Sequence, residues 1–266
     1  MSEWLVLSIA MAAACAVVLV LAVLRQRRLN RAAGAGEEED PDETPDVLEY
    51  MTMMVGVVYA IVLGLAIAGV WEARSAAQDG VRREAQALYE ITQRAEVYPD
   101  GVRDRIRTDI DRYVEHVVHK EWPRMLAHNE LSDRGAELLG AVRADIAERK
   151  PANELEAQAY QPLVDQVATA DDARNARAQN AEATLPGVVW FGLIIGALVT
   201  VGLIFALQIG HSRREVMVAG LFSALIAFLL FLVWDFDAPF GRSGTESADA
   251  FHQLFANAVR GSGVSG

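Results

Sequence analysis

The chain has 266 residues and is 52% hydrophobic, yet 36 Asp and Glu against 24 Lys and Arg give it a formal charge of −12. That mixture excludes both an ordinary soluble globule and a wholly membranous protein, and fits membrane spans joined to a substantial polar portion. The acidic balance also argues against nucleic acid as a partner, because phosphate contacts need clustered positive charge.

The first apolar run, Trp4 to Leu24, predicts a transmembrane helix over residues 1–24. It opens MSEW, without a basic n-region, and RQRRLNR follows it as a stop-transfer flank, so it does not read as a cleaved signal peptide. AAAC at Cys15 weakly resembles a lipoprotein box, but the apolar run continues beyond it, and an ordinary membrane cysteine is the simpler reading. One cysteine cannot form an internal disulfide. Residues 25–49 begin with Arg25, Arg27, Arg28 and Arg31 and turn acidic from Glu37, with two prolines, as a disordered linker does.

A second span is predicted over 50–71, a third over 186–210 and a fourth over 216–234. Each run approaches or exceeds the ~20 residues that cross a bilayer. No Asp, Glu, Lys, Arg or His lies inside any of the four apolar runs, the first of which starts at Trp4. Pumps and proton relays need such groups at membrane depth, so what remains is a passive pore with an apolar constriction, or no transport at all. Residues 211–215, HSRRE, make a short basic turn that closes the last two spans into an antiparallel hairpin. Residues 235–266 form a C-terminal tail whose end, GSGVSG, reads as disordered.

Between the second and third spans, residues 72–185 carry 16 basic and 22 acidic side chains and no strand pattern. Apolar residues recur at helical spacing: Val81, Ala85, Leu88, Ile91 and Ala95; Val102, Ile106, Ile110, Tyr113 and Val117; Leu138, Leu139, Val142 and Ile146; Leu155, Ala159, Leu163 and Val167. Breaks fall at Pro99, Pro123, Ser132 with Asp133, and Pro151 with Asn153. Asn153 and Glu156 have capping-box spacing. Pro162 is expected to kink or divide the last helix. The fold class is therefore an all-α membrane protein: four transmembrane helices, with a helical extramembrane domain inserted between the second and third. Past the apolar half of Val55–Ala85, only Gly80 weakens helical continuity, so the second span should run unbroken into that domain.

Gly56, Ala60, Gly64 and Ala68 recur every four residues on the second span, and Gly192, Gly196 and Thr200 repeat the device on the third. Small residues at this spacing allow close helix packing, either within one four-helix bundle or between subunits. The face opposite the first stripe presents Val58, Val62 and Leu65, the candidate pore lining. In the polar domain, Glu115 and His119 lie one turn apart, with Asp111 a turn earlier. Two or three such residues without HExxH spacing read as a solvated face, so no metal is assigned. No nucleotide loop, nucleophile elbow or CxxC is present, and neither an enzyme nor a cofactor is expected.

A span ending in Trp71 and Glu72, a helical domain of this size, a span, a turn with Arg213 and Arg214, and a final span form an informative order. It closes on DAPFG, with Asp237, Pro239, Phe240 and Gly241. The pattern resembles the bestrophin-like domain family of bacterial membrane proteins, over roughly residues 50–260, and more distantly the bestrophin anion channels. The resemblance implies a homo-oligomer in a lipid bilayer and passive anion conduction. The acidic calcium-binding run that follows Pro-Phe-Gly in many animal bestrophins is replaced here by RSGTES, so calcium is not carried over. The positive-inside rule places Arg25–Arg31 and Arg213 with Arg214 in the cytoplasm and the large domain outside a plasma membrane, whereas bestrophin topology places that domain inside. The alternative function is a membrane scaffold or sensor whose 72–185 domain binds a protein partner while the spans only anchor it.

Overall fold

The computed structural model describes residues 46–128, 130–181, 184–207, 213–240 and 248–260. The first predicted span, most of the linker, Gly241 and the GSGVSG end lie outside these residues. Every described element is a helix, with no strand among the described residues. Among the described residues, three helices are long and apolar enough to cross a membrane, over Tyr50–Val97, Gly187–Phe205 and Met217–Phe236.

Helix α1 spans Asp46–Arg94, 49 residues without interruption. The expected continuity is present, and Gly80 does not break it. The helix begins at Asp46, so the last residues assigned to the linker are helical. A short 3₁₀ turn, Ala95–Val97, leads to α2, Asp100–His116. Next come a π-helical turn over Val117–Glu121 and α3, Trp122–His128. Helix α4 covers Asp133–Ala147 and α5 covers Glu154–Gln179. The second and third apolar helices are α6, Gly187–Leu207, and α7, Arg213–Phe236. Two short helices close the described chain: α8, Asp249–Leu254, and α9, Ala256–Arg260.

The predicted breaks have physical causes. Ser132 caps α4, its Oγ accepting from Gly135 N at 3.0 Å. Asn153 caps α5, accepting from Glu156 N at 2.9 Å, while the Glu156 carboxylate reaches back to Ala152 N at 3.0 Å. Pro123 offers no N–H to the carbonyl four residues earlier. The adjoining turn widens, and Trp122 N donates to Val117 O, five residues back. Pro162 does not divide α5. The carbonyl it leaves without a helical donor belongs to the exposed Gln158, where water can supply the missing bond.

The described chain falls into two compact units, one drawn from residues up to 71 and from 185–237, the other from 72–184 and from 238 onward. In the first, Tyr59, Leu63, Ala66 and Val70 of α1 pack with Leu193 and Ala197 of α6 and with Ile226 and Val233 of α7. Gly196 permits the closest approach, since a Cβ there would sit 2.6 Å from the Tyr59 ring. The Tyr59 hydroxyl donates to Leu193 O at 3.1 Å, as a buried phenol in hydrocarbon must find an acceptor.

In the second unit the predicted stripes form the core, with Leu88, Ile91, Ile106, Ile110, Val142 and Leu163 each fully buried. Each such side chain contributes about 1.5–3 kcal/mol. Leu155 departs from the expected pattern, being 67% exposed. The tail supplies core residues that the sequence reading did not assign, namely Phe240, Phe251, Phe255 and Val259.

Candidate functional site

The centre of the helical unit is ionic. Glu84 of α1 and Arg177 of α5 are both fully buried, with Nε to Oε2 at 2.8 Å and a second bond from Nη2 to Oε1 at 3.2 Å. Arg177 Nη2 also donates to Glu121 Oε1 at 2.8 Å. Arg174, one turn earlier, donates to Glu121 through Nη2 at 2.6 Å and Nε at 3.3 Å. Two carboxylates and two guanidiniums therefore balance inside an otherwise apolar core. Around them, Tyr113 donates to Glu84 Oε1 at 2.6 Å, and the Arg177 guanidinium lies 5.3 Å from the Trp122 ring centroid. Trp122 in turn meets Phe240 edge to face at 5.3 Å.

Helical phase puts these charges inside. Arg174 and Arg177 continue the stripe Leu163, Val167 and Ala170, and Glu84 lies in phase with Val81 and Leu88. Charged residues recurring on an apolar face are a legible signal, and the sequence reading passed over it. Glu121 closes the stripe Ile110, Tyr113 and Val117. Its carboxylate meets the start of α4, where Ser132 N donates at 3.1 Å and Ser132 Oγ at 3.0 Å. Gly135 makes room, because a Cβ there would overlap Glu121 Oε2 and lie 2.8 Å from Arg174 Nη2.

Burial alone would raise the Glu121 pKa, but the Arg174 hydrogen bond and the charges of Arg177 and Arg174 outweigh it and hold the carboxyl at about 2. Burial opposes the Arg177 charge, yet Glu84 and its other partners leave that guanidinium more firmly protonated than usual. Burial, reinforced by Glu84, pushes the Tyr113 phenol well above its ordinary value.

His116 joins this network from α2, its Nε2 lying 2.6 Å from Ser132 Oγ. The Ser132 hydroxyl has one proton and gives it to Glu121, while its oxygen accepts from Gly135 N. His116 Nε2–H is therefore the donor to Ser132. Histidine, serine and glutamate meet here, but with serine in the middle and its proton committed to a carboxylate. This is the wrong order for an activated nucleophile.

The residues proposed from sequence lie elsewhere. Val58, Val62 and Leu65 are exposed on α1. Gly56 and Gly64 have nothing within 4 Å of a notional Cβ, and Ala60 and Ala68 are exposed. Trp71 is exposed and meets Phe236 edge to face at 5.2 Å; Glu72 and Arg214 are also exposed. Arg213 opens α7. Asp237 is buried and accepts from Leu185 N at 2.7 Å and Trp190 Nε1 at 3.0 Å, so this motif carboxylate ties the start of α6 to the end of α7. Pro239 and Phe240 are buried in the helical unit. No group of three His, Cys, Asp or Glu suited to a metal occurs among the described residues. Glu115 and His119 instead share a cleft with cationic side chains, and Asp111 is not part of its lining.

Apolar helices of spanning length, with a helical unit locked by buried ion pairs, define a helical membrane protein. The sequence profile of the Bestrophin-like domain matches residues 12–245, and the chain belongs to that family. No curated protein and no solved structure matches it.

Proposed function

We propose that the protein is a passive membrane channel of bestrophin type, assembled from identical copies around an axis, with anions as its permeant class. The supporting observation is the division of faces along α1. Tyr59, Leu63, Ala66 and Val70 are consumed by packing within one chain. Gly56, Ala60, Gly64 and Ala68 lie on one flank of that face, and Val58, Val62 and Leu65 on the other. At roughly 100° per residue the two flanks are well separated. A neighbouring copy can then pack on the small stripe while the aliphatic face rings the axis and resists wetting. Anion selectivity is taken from the family resemblance.

In this reading four spans carry the helical unit between the second and third, and the protein acts without catalysis. The Arg-rich loops face the cytoplasm of a plasma membrane. Helix α1 runs from the apolar unit into the helical one, and the Glu84–Arg177 pair fixes its far half to α5. Rearrangement of the helical unit would reach the span along this stalk.

One observation favours the scaffold reading. Val58 and Val62 also border a groove of about 430 Å³ completed by Gly192, Gly196, Val199 and Thr200 of α6, where a lipid chain fits as well as an axis. In that reading the spans only anchor a helical unit that binds a protein partner. Subunit counting in nanodiscs separates the two. A symmetric oligomer is expected; a monomer would remove the pore and leave the scaffold. Impermeant thiol labelling at Glu130→Cys, with Cys15 replaced, reports orientation. Labelling of intact cells is expected, and labelling only after they are opened would reverse it.

A further inference from the structure

The π-helical turn lies beside a cleft of about 490 Å³ lined by Arg112, Glu115, His116, His119, Lys120, Arg134 and Leu138. Its composition runs against its surroundings. Residues 72–185 carry six more acidic than basic side chains, yet this lining holds three fixed cations and two imidazoles against one carboxylate. Lys120 is one of only two lysines in the chain. The cations come from separate elements: Arg112 from α2, Lys120 from the π turn and Arg134 from the first turn of α4.

Existing partners leave donors over. Arg112 Nη1 meets Asp109 at 3.1 Å and Arg134 Nη1 meets Glu137 at 2.8 Å, both arginines being largely exposed. Each guanidinium carries five N–H donors. Surface pairs of this kind are worth ~0–1 kcal/mol, so a multivalent anion can compete for them. His119 Nε2 donates to Val259 O at 3.2 Å, which ties this edge of the cleft to α9.

We propose that this cleft binds a phosphate-class oxyanion, either inorganic phosphate or a phosphomonoester, between Arg112, Lys120 and Arg134, with His116 as a proton-linked member of the site. Tetrahedral oxyanions suit several N–H donors converging from different directions. His116 has Nε2–H committed to Ser132, so its Nδ1 donates to an anion only when the ring is protonated. The groups facing His116 set when that happens. Burial lowers its pKa, Glu121 raises it, and Arg134, Arg174 and Lys120 lower it again. A bound dianion offsets the three cations and favours the imidazolium, so binding of the dianion takes up a proton and its affinity, counted per dianion, rises as pH falls. This site is independent of conduction and extends the function in either reading of the spans.

The test is calorimetric titration of the full chain with inorganic phosphate at pH 6 and pH 8, in micelles and in nanodiscs with and without phosphatidic acid. Saturable binding near one per chain is expected, tighter at pH 6 when affinity is expressed per phosphate dianion, whose share of total phosphate falls between pH 8 and pH 6. Lys120→Gln with Arg134→Gln, both exposed positions, should weaken it by about tenfold or more. His116→Gln, which retains a donor for Ser132, should bind the phosphate dianion with the same affinity at both pH values. Equal phosphate binding in micelles and in both nanodiscs would identify a free ligand. Loss of phosphate binding only with phosphatidic acid would assign the site to a lipid phosphomonoester. No saturable binding at pH 6 in micelles, or binding unchanged in the double variant with its melting intact, would overturn the proposal.

Discussion

Arg177 and Glu84 stand 93 residues apart in the chain and meet in a fully buried pair at 2.8 Å. The pair joins α1 to α5, the last helix before α6, and through Glu121 it engages the π turn. Taking charges out of water costs several kcal/mol per ion, so such a network stabilises only when complete. Arg177→Met would leave Glu84 without its main partner and Glu121 with fewer donors. We expect a loss of about 3–5 kcal/mol, read as a fall in the melting temperature of the helical unit. An unchanged melting temperature would mean that these carboxylates are not held as charges.

Acid should dissolve the same network. The Glu121 carboxyl titrates at about 2 in the folded chain against 4.5 ordinarily. A depressed carboxylate contributes its stability above the unfolded pKa, and that contribution is lost as pH falls through the folded one. Stability should therefore decline between about pH 4.5 and pH 2, by an amount on the order of 3 kcal/mol. Chemical unfolding followed by circular dichroism across this range measures it. Glu121→Gln should flatten the decline. A wild-type curve already flat would remove the assignment.

The two glycines singled out on the spans should behave differently. Gly196 faces the Tyr59 ring, whereas Gly64 faces open space within one chain. Gly196→Leu should separate α1 from α6 and lower the melting temperature whatever the oligomeric state, since overpacking costs ~1–3 kcal/mol. Gly64→Leu should leave the folded subunit intact and reduce oligomer size. If it changes neither property, the small stripe faces lipid.

Much of this was legible in the sequence. The continuity of α1, the caps at Ser132 and Asn153, and the core stripes apart from Leu155 follow from local rules that tertiary contacts did not override. Pro162 does not divide α5, because a helical proline is tolerated where the orphaned carbonyl can reach water. The tail's contribution was missed because Phe251, Phe255 and Val259 lie in helices of six and five residues, too short for a periodic signal. The ionic centre was missed for another reason. Arg174 and Arg177 were counted only among the 16 basic side chains of residues 72–185, although their spacing placed them on the buried face of α5. Pairing with Glu84 and Glu121 is long-range, and one sequence does not display it.

The central claim concerns passage through an apolar ring formed by Val58, Val62 and Leu65. Ion flux from liposomes containing either the wild type or the Val58→Ala, Val62→Ala, Leu65→Ala variant tests it most directly. The account predicts passive anion flux from the wild type and a larger, less selective flux from the variant, whose ring is wider but carries no new charge. Flux no greater than that of empty liposomes from both proteins, across pH, calcium and osmotic conditions, would contradict it.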